Sequence, residues 1–150
     1  MYDDILDLLP YQSSFRFVDH ISFLDINEVR GDYTLKKDSF FYADHFAGNP
    51  VTPGVILIEI MAQIGLVVLG IYLMQQSPKE IGAGMEGRCV PLLTSTEVSF
   101  HKMAMPGEIV TVRSKKQFFR FGKLKCQVEM HNGRGELIAN GTLSGFIKKY

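Results

Sequence analysis

The 150-residue chain is 46% hydrophobic, a composition that predicts one globular domain over residues 1–150 and excludes a disordered chain. Its 16 basic and 16 acidic residues give zero net charge, which argues against bulk attraction to nucleic acid or anionic lipid. Residues 1–75 hold 4 basic and 10 acidic groups, whereas residues 76–150 hold 12 and 6. These halves either neutralise each other or leave a basic patch for an acidic partner. Such a patch would draw on Arg88, Lys102, Lys115, Lys116, Lys123 and Lys125.

The N-terminal segment MYDDILDLLP is acidic and lacks the apolar run of a signal peptide. Within it, Asp3–Leu9 has the composition of a short helix that Pro10 ends. The two cysteines, Cys89 and Cys126, lie far apart without the CxxC spacing of a zinc or redox site. We therefore expect free thiols, no metal and a cytoplasmic location.

Two strands and an irregular loop are predicted next. Phe15–Ile26 alternates large apolar residues with polar ones, and Val29–Lys37 follows after a turn at Asn27-Glu28. Residues 38–52 are aromatic but irregular, because Gly48 and Pro50 interrupt any regular element.

One long apolar helix follows the loop. Pro53 suits the first helical turn, Thr52 is a natural N-cap, and the apolar run Val55–Met74 ends before Pro78. This run is long enough to cross a membrane, but it lacks flanking Lys or Arg and contains the charged Glu59. We therefore predict the buried central helix of a soluble domain.

The C-terminal half has the pattern of long antiparallel strands. The segments are Thr94–Lys102, Glu108–Arg120, Lys123–His131 and Glu136–Lys148, with the clearest hairpin signal at Asn132-Gly133. A GxGxxG match at residues 82–87 follows a helix rather than a strand, so it does not predict a dinucleotide site. The pattern predicts an α+β domain in which about six mostly antiparallel strands curl around one helix.

Glu59 is the most informative residue of the predicted helix. Its neighbours are apolar, and desolvation there raises the pKa of a carboxyl toward neutrality. Gln63 lies one turn further along the helix and can orient the carboxyl by a hydrogen bond. Glu59 is therefore either catalytic or a structural residue that bonds a buried polar group or a second subunit.

His45 lies in the loop that leads into the helix, and alone it is more typical of a surface or packing residue than of a catalytic one. Together with Glu59 it provides a base that titrates near neutrality and a carboxyl that stays protonated, which an acid–base elimination needs. Gly54 at the helix start can bring its N–H close to a ligand oxygen, where the helix dipole strengthens the donor. The aromatic cluster Phe118–Phe121 is more typical of a core or an acyl-tunnel wall than of base stacking.

Residues 44–63, DHFAGNPVTPGVILIEIMAQ, resemble the signature of the 3-hydroxyacyl-acyl-carrier-protein dehydratases, the FabZ and FabA group. That signature runs H-F-P-G-x-P-x-x-P-G-x-x-x-x-E/D, with Gln four residues later. Leu9-Pro10 with Phe15–Asp19 resembles the family's opening, and Met105–Glu108 resembles its later P-G-D/E turn. The resemblance implies dehydration of a 3-hydroxyacyl thioester to a trans-2-enoyl thioester in fatty acid or related lipid biosynthesis, without a cofactor.

The resemblance assigns roles to individual residues. It implies a catalytic pair, His45 and Glu59, and a glutamate in this place is more similar to the dehydratase-only branch than to the isomerising one. It further implies an oxyanion and substrate-binding set: Gly54, Gln63, Val55 and Phe46. The implied fold is the hot-dog fold, with active sites shared across a homodimer, dimers that associate further into hexamers, and an acidic acyl carrier protein as partner.

The chain departs from the family pattern at a few positions, which leaves the substrate and its carrier, acyl carrier protein or coenzyme A, open. These positions are Tyr11, Asp44, Ala47, Asn49 and Thr52. Two other functions also stay open at this point. A hot-dog thioesterase would not need His45, and a non-catalytic acyl-binding subunit would need neither His45 nor Glu59.

Overall fold

A computed structural model describes residues 2–76 and 89–149 of the chain. The GxGxxG match at residues 82–87 and the candidate patch residue Arg88 lie outside the described residues. The helices are α1 (Asp3–Leu6), α2 (Gly54–Ala62) and α3 (Leu69–Gln76), with a 3₁₀ turn at Ser13–Phe15 and a π-helical segment at Gln63–Val68. The strands are β1 (His20–Leu24), β2 (Glu28–Thr34), β3 (Cys89–Phe100), β4 (Ile109–Arg120), β5 (Lys123–His131) and β6 (Leu137–Lys149).

The six strands form one antiparallel sheet in the order β1-β2-β4-β5-β6-β3. The sheet and the single long helix confirm the predicted α+β hot-dog arrangement. The β5–β6 hairpin turns at the predicted Asn132-Gly133, where the Asn132 side-chain oxygen accepts hydrogen bonds from the Arg134 and Glu136 N–H groups. The Asn132 side chain therefore stabilises the turn that joins β5 to β6, as the sequence pattern predicts.

The helical run Gly54–Gln76 is the centre of the core. It has a mean hydropathy of 2.3 over its most apolar 18 residues, and 72% of that window is buried within the protein. Side chains such as Ile60, Ile64 and Leu69 are fully buried, and each contributes about 1.5–3 kcal/mol by leaving water. The predicted apolar helix is thus the buried core helix of this fold.

The middle of this helix is π-helical, which the sequence pattern does not predict. The carbonyl of Gly65 accepts a hydrogen bond of 3.0 Å from the buried Ser114 hydroxyl of β4. A Cβ at residue 65 would lie 3.1 Å from the Ser114 Cβ, so glycine allows the helix and the strand to approach closely. The sheet therefore contributes a side-chain hydrogen bond to the backbone of the π-helical segment.

Several predictions at the ends of elements are wrong. Helix α1 ends at Leu6 rather than at Leu9, and strand β3 begins at Cys89 rather than at Thr94. Thr52 does not cap the helix, because its hydroxyl pairs with the Tyr42 hydroxyl at 2.6 Å and Pro53 occupies the N-cap position. The first strand begins only at His20 rather than at Phe15. The Phe15–Phe17 backbone bonds instead to a side chain of the central helix, so it is not available for a strand partner.

The aromatic cluster Phe118–Phe121 lies at the end of the β4–β5 hairpin. Phe119 packs partly against the core, as predicted, but Phe118 and Phe121 are exposed, so for these two residues the prediction of a core or tunnel wall is wrong. Phe121 and Gly122 form the two-residue turn with φ angles of 52° and 80°. Both angles are positive, as a tight hairpin turn requires, and this turn directs the Phe121 ring into solvent.

Among residues 2–76 and 89–149, strand β3 pairs only with β6, so it forms one edge of the described sheet. It is 12 residues long, and its exposed side chains include Leu92, Leu93 and Phe100. A long apolar edge with unpaired backbone groups is a ready template for another strand.

Candidate active site

Glu59 lies on α2 and is half-buried. Desolvation by burial raises the pKa of its carboxyl above the ordinary value, and a hydrogen bond from Gln63 partly counteracts this effect. The Gln63 Nε2 donates to Glu59 Oε1 over 3.2 Å. The predicted pairing of these two residues one helical turn apart is present in the structure.

Gln63 is fully buried and connects the helix to the N-terminal segment. Its Nε2 also donates to the Phe15 carbonyl over 2.9 Å, and its Oε1 accepts from the Phe17 N–H at 2.8 Å. These three contacts fix which end of the amide faces Glu59. Gln63 therefore orients the carboxyl and anchors the segment that covers it.

Glu59 lies on the wall of a largely apolar cavity beside the central helix. The walls comprise residues of the helix, of the N-terminal segment and of strands β3, β5 and β6: Tyr11, Ala62, Leu66, Val67, Pro91, Leu92, Leu93, Leu124, Gly145, Phe146 and Ile147. A carboxyl on the wall of such a cavity is suited to act on a polar group of an otherwise apolar ligand.

His45 is half-buried in the loop before the helix. Its Nδ1 lies 2.8 Å from the Val51 carbonyl oxygen, which can only accept, so Nδ1 carries the hydrogen. In the neutral ring the other nitrogen, Nε2, is then free to accept a proton. The ring stacks on Phe46 with 4.0 Å between centroids, and this contact further limits its orientation.

The start of α2 provides backbone donors next to His45. The first helical hydrogen bonds run from the Ile56 and Leu57 N–H groups to the Pro53 carbonyl, so the N–H groups of Gly54 and Val55 precede the helical ladder. A Cβ at residue 54 would lie 3.3 Å from the Phe100 ring, which leaves little room for any larger residue.

His45 and Gly54 line one open cavity together with Val51, Thr52, Leu57, Phe100, His101, Lys102 and Met103. Phe46 and Val55, the sequence neighbours of His45 and Gly54, are 55% and 73% exposed and are not among the residues that line this cavity. The structure therefore brings His45 together with Gly54, and Glu59 together with Gln63. Within one protomer these two groups line different cavities.

Strand β3 connects the two cavities. Pro91, Leu92 and Leu93 near its start line the Glu59 cavity, and Phe100 at its end lines the His45 cavity. The structure also adds Tyr11 to the Glu59 cavity. The sequence signal for Tyr11 is its place directly after Leu9-Pro10, where the family that the chain resembles commonly has a basic residue.

A family model of the FabA-like domain matches residues 9–143. The 3-hydroxyacyl-acyl-carrier-protein dehydratase FabZ of Caldicellulosiruptor saccharolyticus is 30% identical to this chain. The alignment covers 99% of this chain and 100% of that protein. The FabZ of Chlamydia trachomatis serovar L2 is 29% identical over 97% of this chain and 91% of its own.

Two solved structures share the fold. One is the dehydratase heterocomplex ApeI:P from Xenorhabdus doucetiae, with a TM-score of 0.77, 14% identity and coverage of 97% of this chain and 91% of that one. The other is a hypothetical thioesterase protein with coenzyme A from Streptococcus pneumoniae TIGR4, with a TM-score of 0.66, 13% identity and coverage of 99% and 98%. At these identities the likeness concerns the fold alone.

Proposed function

Because the chain belongs to the FabA-like family, we propose that it is a hydro-lyase that converts a 3-hydroxyacyl thioester on acyl carrier protein into the trans-2-enoyl thioester. One observation in the structure supports this function most directly. An imidazole whose Nδ1 bonds to a backbone carbonyl and a carboxyl with a raised pKa line cavities at the two ends of one exposed edge strand. These are the base and the acid that an elimination of water requires.

His45 acts as the base in this proposal. Its Nδ1–H is held by the Val51 carbonyl, so Nε2 faces the substrate and takes the proton from C2 of the acyl chain. The thioester carbonyl makes that proton acidic, and the N–H of Gly54 stabilises the charge that develops on the carbonyl oxygen. The thioester itself activates C2, so the reaction needs no metal or redox cofactor.

Glu59 acts as the acid. Burial raises the pKa of its carboxyl, which keeps a proton available, and Gln63 holds the group in place. As the C2–H bond breaks, its electrons form the C2–C3 double bond and the C3–O bond breaks. The leaving hydroxyl takes the Glu59 proton and departs as water. The acyl chain as a whole is neither oxidised nor reduced. Before the next turnover His45 releases its proton to solvent and Glu59 takes one up from solvent.

The acid and the base meet across a homodimer in this proposal. Antiparallel pairing of β3 with a second copy, centred near Thr96, places Leu92 opposite the partner's Phe100. The cavity that Glu59 lines then adjoins the cavity that the partner's His45 lines. Pairing also covers the exposed apolar edge and satisfies its backbone groups. The dimers can associate further, as the resemblance implies.

The acyl carrier protein docks on the basic end of the β4–β5 hairpin in this proposal. Arg120 pairs with Lys123 across the hairpin, and the next residue, Leu124, lines the Glu59 cavity. Both basic residues are exposed and adjoin the exposed Phe121. An acidic carrier bound here would deliver its acyl group close to the cavity. A cytoplasmic location completes the proposal.

The docking surface is tested by charge reversal. Replacing Arg120 and Lys123 by Glu should raise KM for a carrier-bound substrate about tenfold while leaving KM for a pantetheine thioester unchanged. Lys37→Glu, an exposed change elsewhere, is the matched control and should alter neither value. Equal KM values for the double variant and wild type with the carrier would contradict docking at this hairpin.

The function is tested by incubating the protein with 3-hydroxyacyl carriers of varied chain length and following loss of water by mass spectrometry. Wild type should form the enoyl thioester, whereas His45→Ala and Glu59→Gln should each be slower by about 10²–10⁴-fold. Release of the free carrier thiol in place of the enoyl product would identify thioester hydrolysis. Full activity of both variants would refute the catalytic pair.

A further inference from the structure

Tyr11 lines the Glu59 cavity, and the mechanism above does not use it. Its ring packs against Phe15 with 6.3 Å between centroids in a tilted arrangement. The Phe15 carbonyl in turn accepts a hydrogen bond from Gln63, which also bonds to Glu59. The same buried glutamine thus supports both the carboxyl and the segment that carries Tyr11.

The Tyr11 hydroxyl is available to a ligand. Within residues 2–76 and 89–149 it makes no hydrogen bond to protein, and no fully buried side-chain nitrogen or oxygen atom in these residues lacks a partner. Tyr11 is partly exposed and lines the same cavity as Glu59, so a ligand in that cavity can contact this side chain.

The environment keeps this hydroxyl a neutral donor. Burial raises the pKa of Tyr11 far above its ordinary range, and Glu59 raises it further when its carboxyl is ionised. The group therefore retains its hydrogen at every physiological pH and can donate it in a hydrogen bond, but it does not transfer it.

We propose that Tyr11 is a specificity-determining residue whose hydroxyl donates a hydrogen bond to the C3 oxygen of the 3-hydroxyacyl group beside Glu59. This inference rests on the proposed function. No covalent bond of Tyr11 forms or breaks in the reaction, since Glu59 alone delivers the proton to the leaving oxygen. A site that hydrogen-bonds a substrate hydroxyl discriminates against the analogue that lacks it, because the site's polar groups are then left without a partner. Tyr11 thus selects hydroxylated over saturated acyl chains.

Tyr11→Phe tests this role, because it keeps the ring and its contact with Phe15 and removes only the hydroxyl. Binding is measured by calorimetry in a His45→Ala background, which prevents turnover, with a 3-hydroxyacyl pantetheine thioester and the saturated thioester of equal length. The hydroxylated ligand should bind about tenfold more weakly, with no change for the saturated ligand. Tyr72→Phe, at a half-buried tyrosine of α3, is the control and should change neither affinity.

Turnover provides the second measurement, in proteins with His45 intact. Tyr11→Phe should lower kcat/KM for dehydration about tenfold, and Tyr11→His, which restores an N–H donor, should recover part of the loss. An equal loss of affinity for both ligands would show that Tyr11 only packs, and unchanged affinity for the hydroxylated ligand would likewise overturn the proposal. A wild-type protein that forms no enoyl product would instead contradict the proposed function itself.

Discussion

A mixed dimer of one His45→Ala subunit and one Glu59→Gln subunit is the sharpest test of a shared active site. In the proposed dimer each site takes His45 from one protomer and Glu59 from the other. The mixed dimer therefore contains one site with both residues intact and one site with both residues changed. Each variant alone contains only damaged sites.

The expected magnitude follows from counting intact sites. With one of its two sites intact, the mixed dimer should show about one half of the wild-type kcat per dimer. Each variant homodimer should fall to about 1% of wild type or lower, because loss of either the acid or the base costs 10²–10⁴-fold. The mixed dimer should thus exceed both of its parents by at least about fiftyfold.

Co-expression with two different affinity tags isolates the mixed species, and native mass spectrometry gives its subunit composition. Enoyl product is then measured on the same 3-hydroxyacyl carrier. A mixed dimer of wild type with the His45→Ala/Glu59→Gln double variant is the matched control. A shared site leaves this control inactive, whereas a site within one protomer leaves it about half active. Inactivity of the first mixed dimer together with half activity of the control would refute the shared site.

Two further predictions concern the support of Glu59. Gln63→Leu should lower the free energy of unfolding by about 2–3 kcal/mol and the Tm by roughly 5–10 °C, because the Phe15 and Phe17 backbone groups lose their partner. Gln75→Leu, at an exposed glutamine, is the control. An equally small change in both variants would argue against this role of Gln63. Burial raises the pKa of Glu59 in the folded protein above its value in the unfolded chain. The contribution of Glu59 to stability is therefore present at pH values below the pKa of the unfolded chain, and it is lost as the pH rises through the pKa of the folded protein. The Tm of Glu59→Gln minus the Tm of wild type should therefore be larger at pH 8 than at pH 4. Thermal unfolding at both pH values measures this difference, and the same value at both would contradict the raised pKa.

Much of the fold and part of the site could be predicted from local sequence patterns. The apolar run that begins after Pro53 marks the central helix, and alternation with turn residues places β5 at the predicted bounds, Lys123–His131. The Glu59–Gln63 contact is likewise local, because residues four apart share one face of a helix. The polar Glu59 in this apolar run also indicated where chemistry is to be expected.

Other features depend on contacts between segments that are distant in sequence. Gln63 bonds to backbone groups 46 and 48 residues away, so the pattern around it predicts its contact with Glu59 but not its second role. Thr52 is a residue type common at helix N-caps, yet its hydroxyl forms a hydrogen bond with the Tyr42 hydroxyl instead. The pattern of Phe118–Phe121 does not distinguish a core from an exposed hairpin end, because the direction of each ring depends on the turn that follows.

By itself the sequence determined the central helix, the strands and the polar residues that interrupt an apolar pattern, because these features depend on spacing along the chain. Only the tertiary structure decided which of those residues lie together. It placed His45 and Glu59 in different cavities of one protomer, each cavity lined by residues near one end of strand β3, and it brought Tyr11 into the Glu59 cavity. Such neighbours depend on how the sheet wraps around the helix, and that packing involves the whole chain at once.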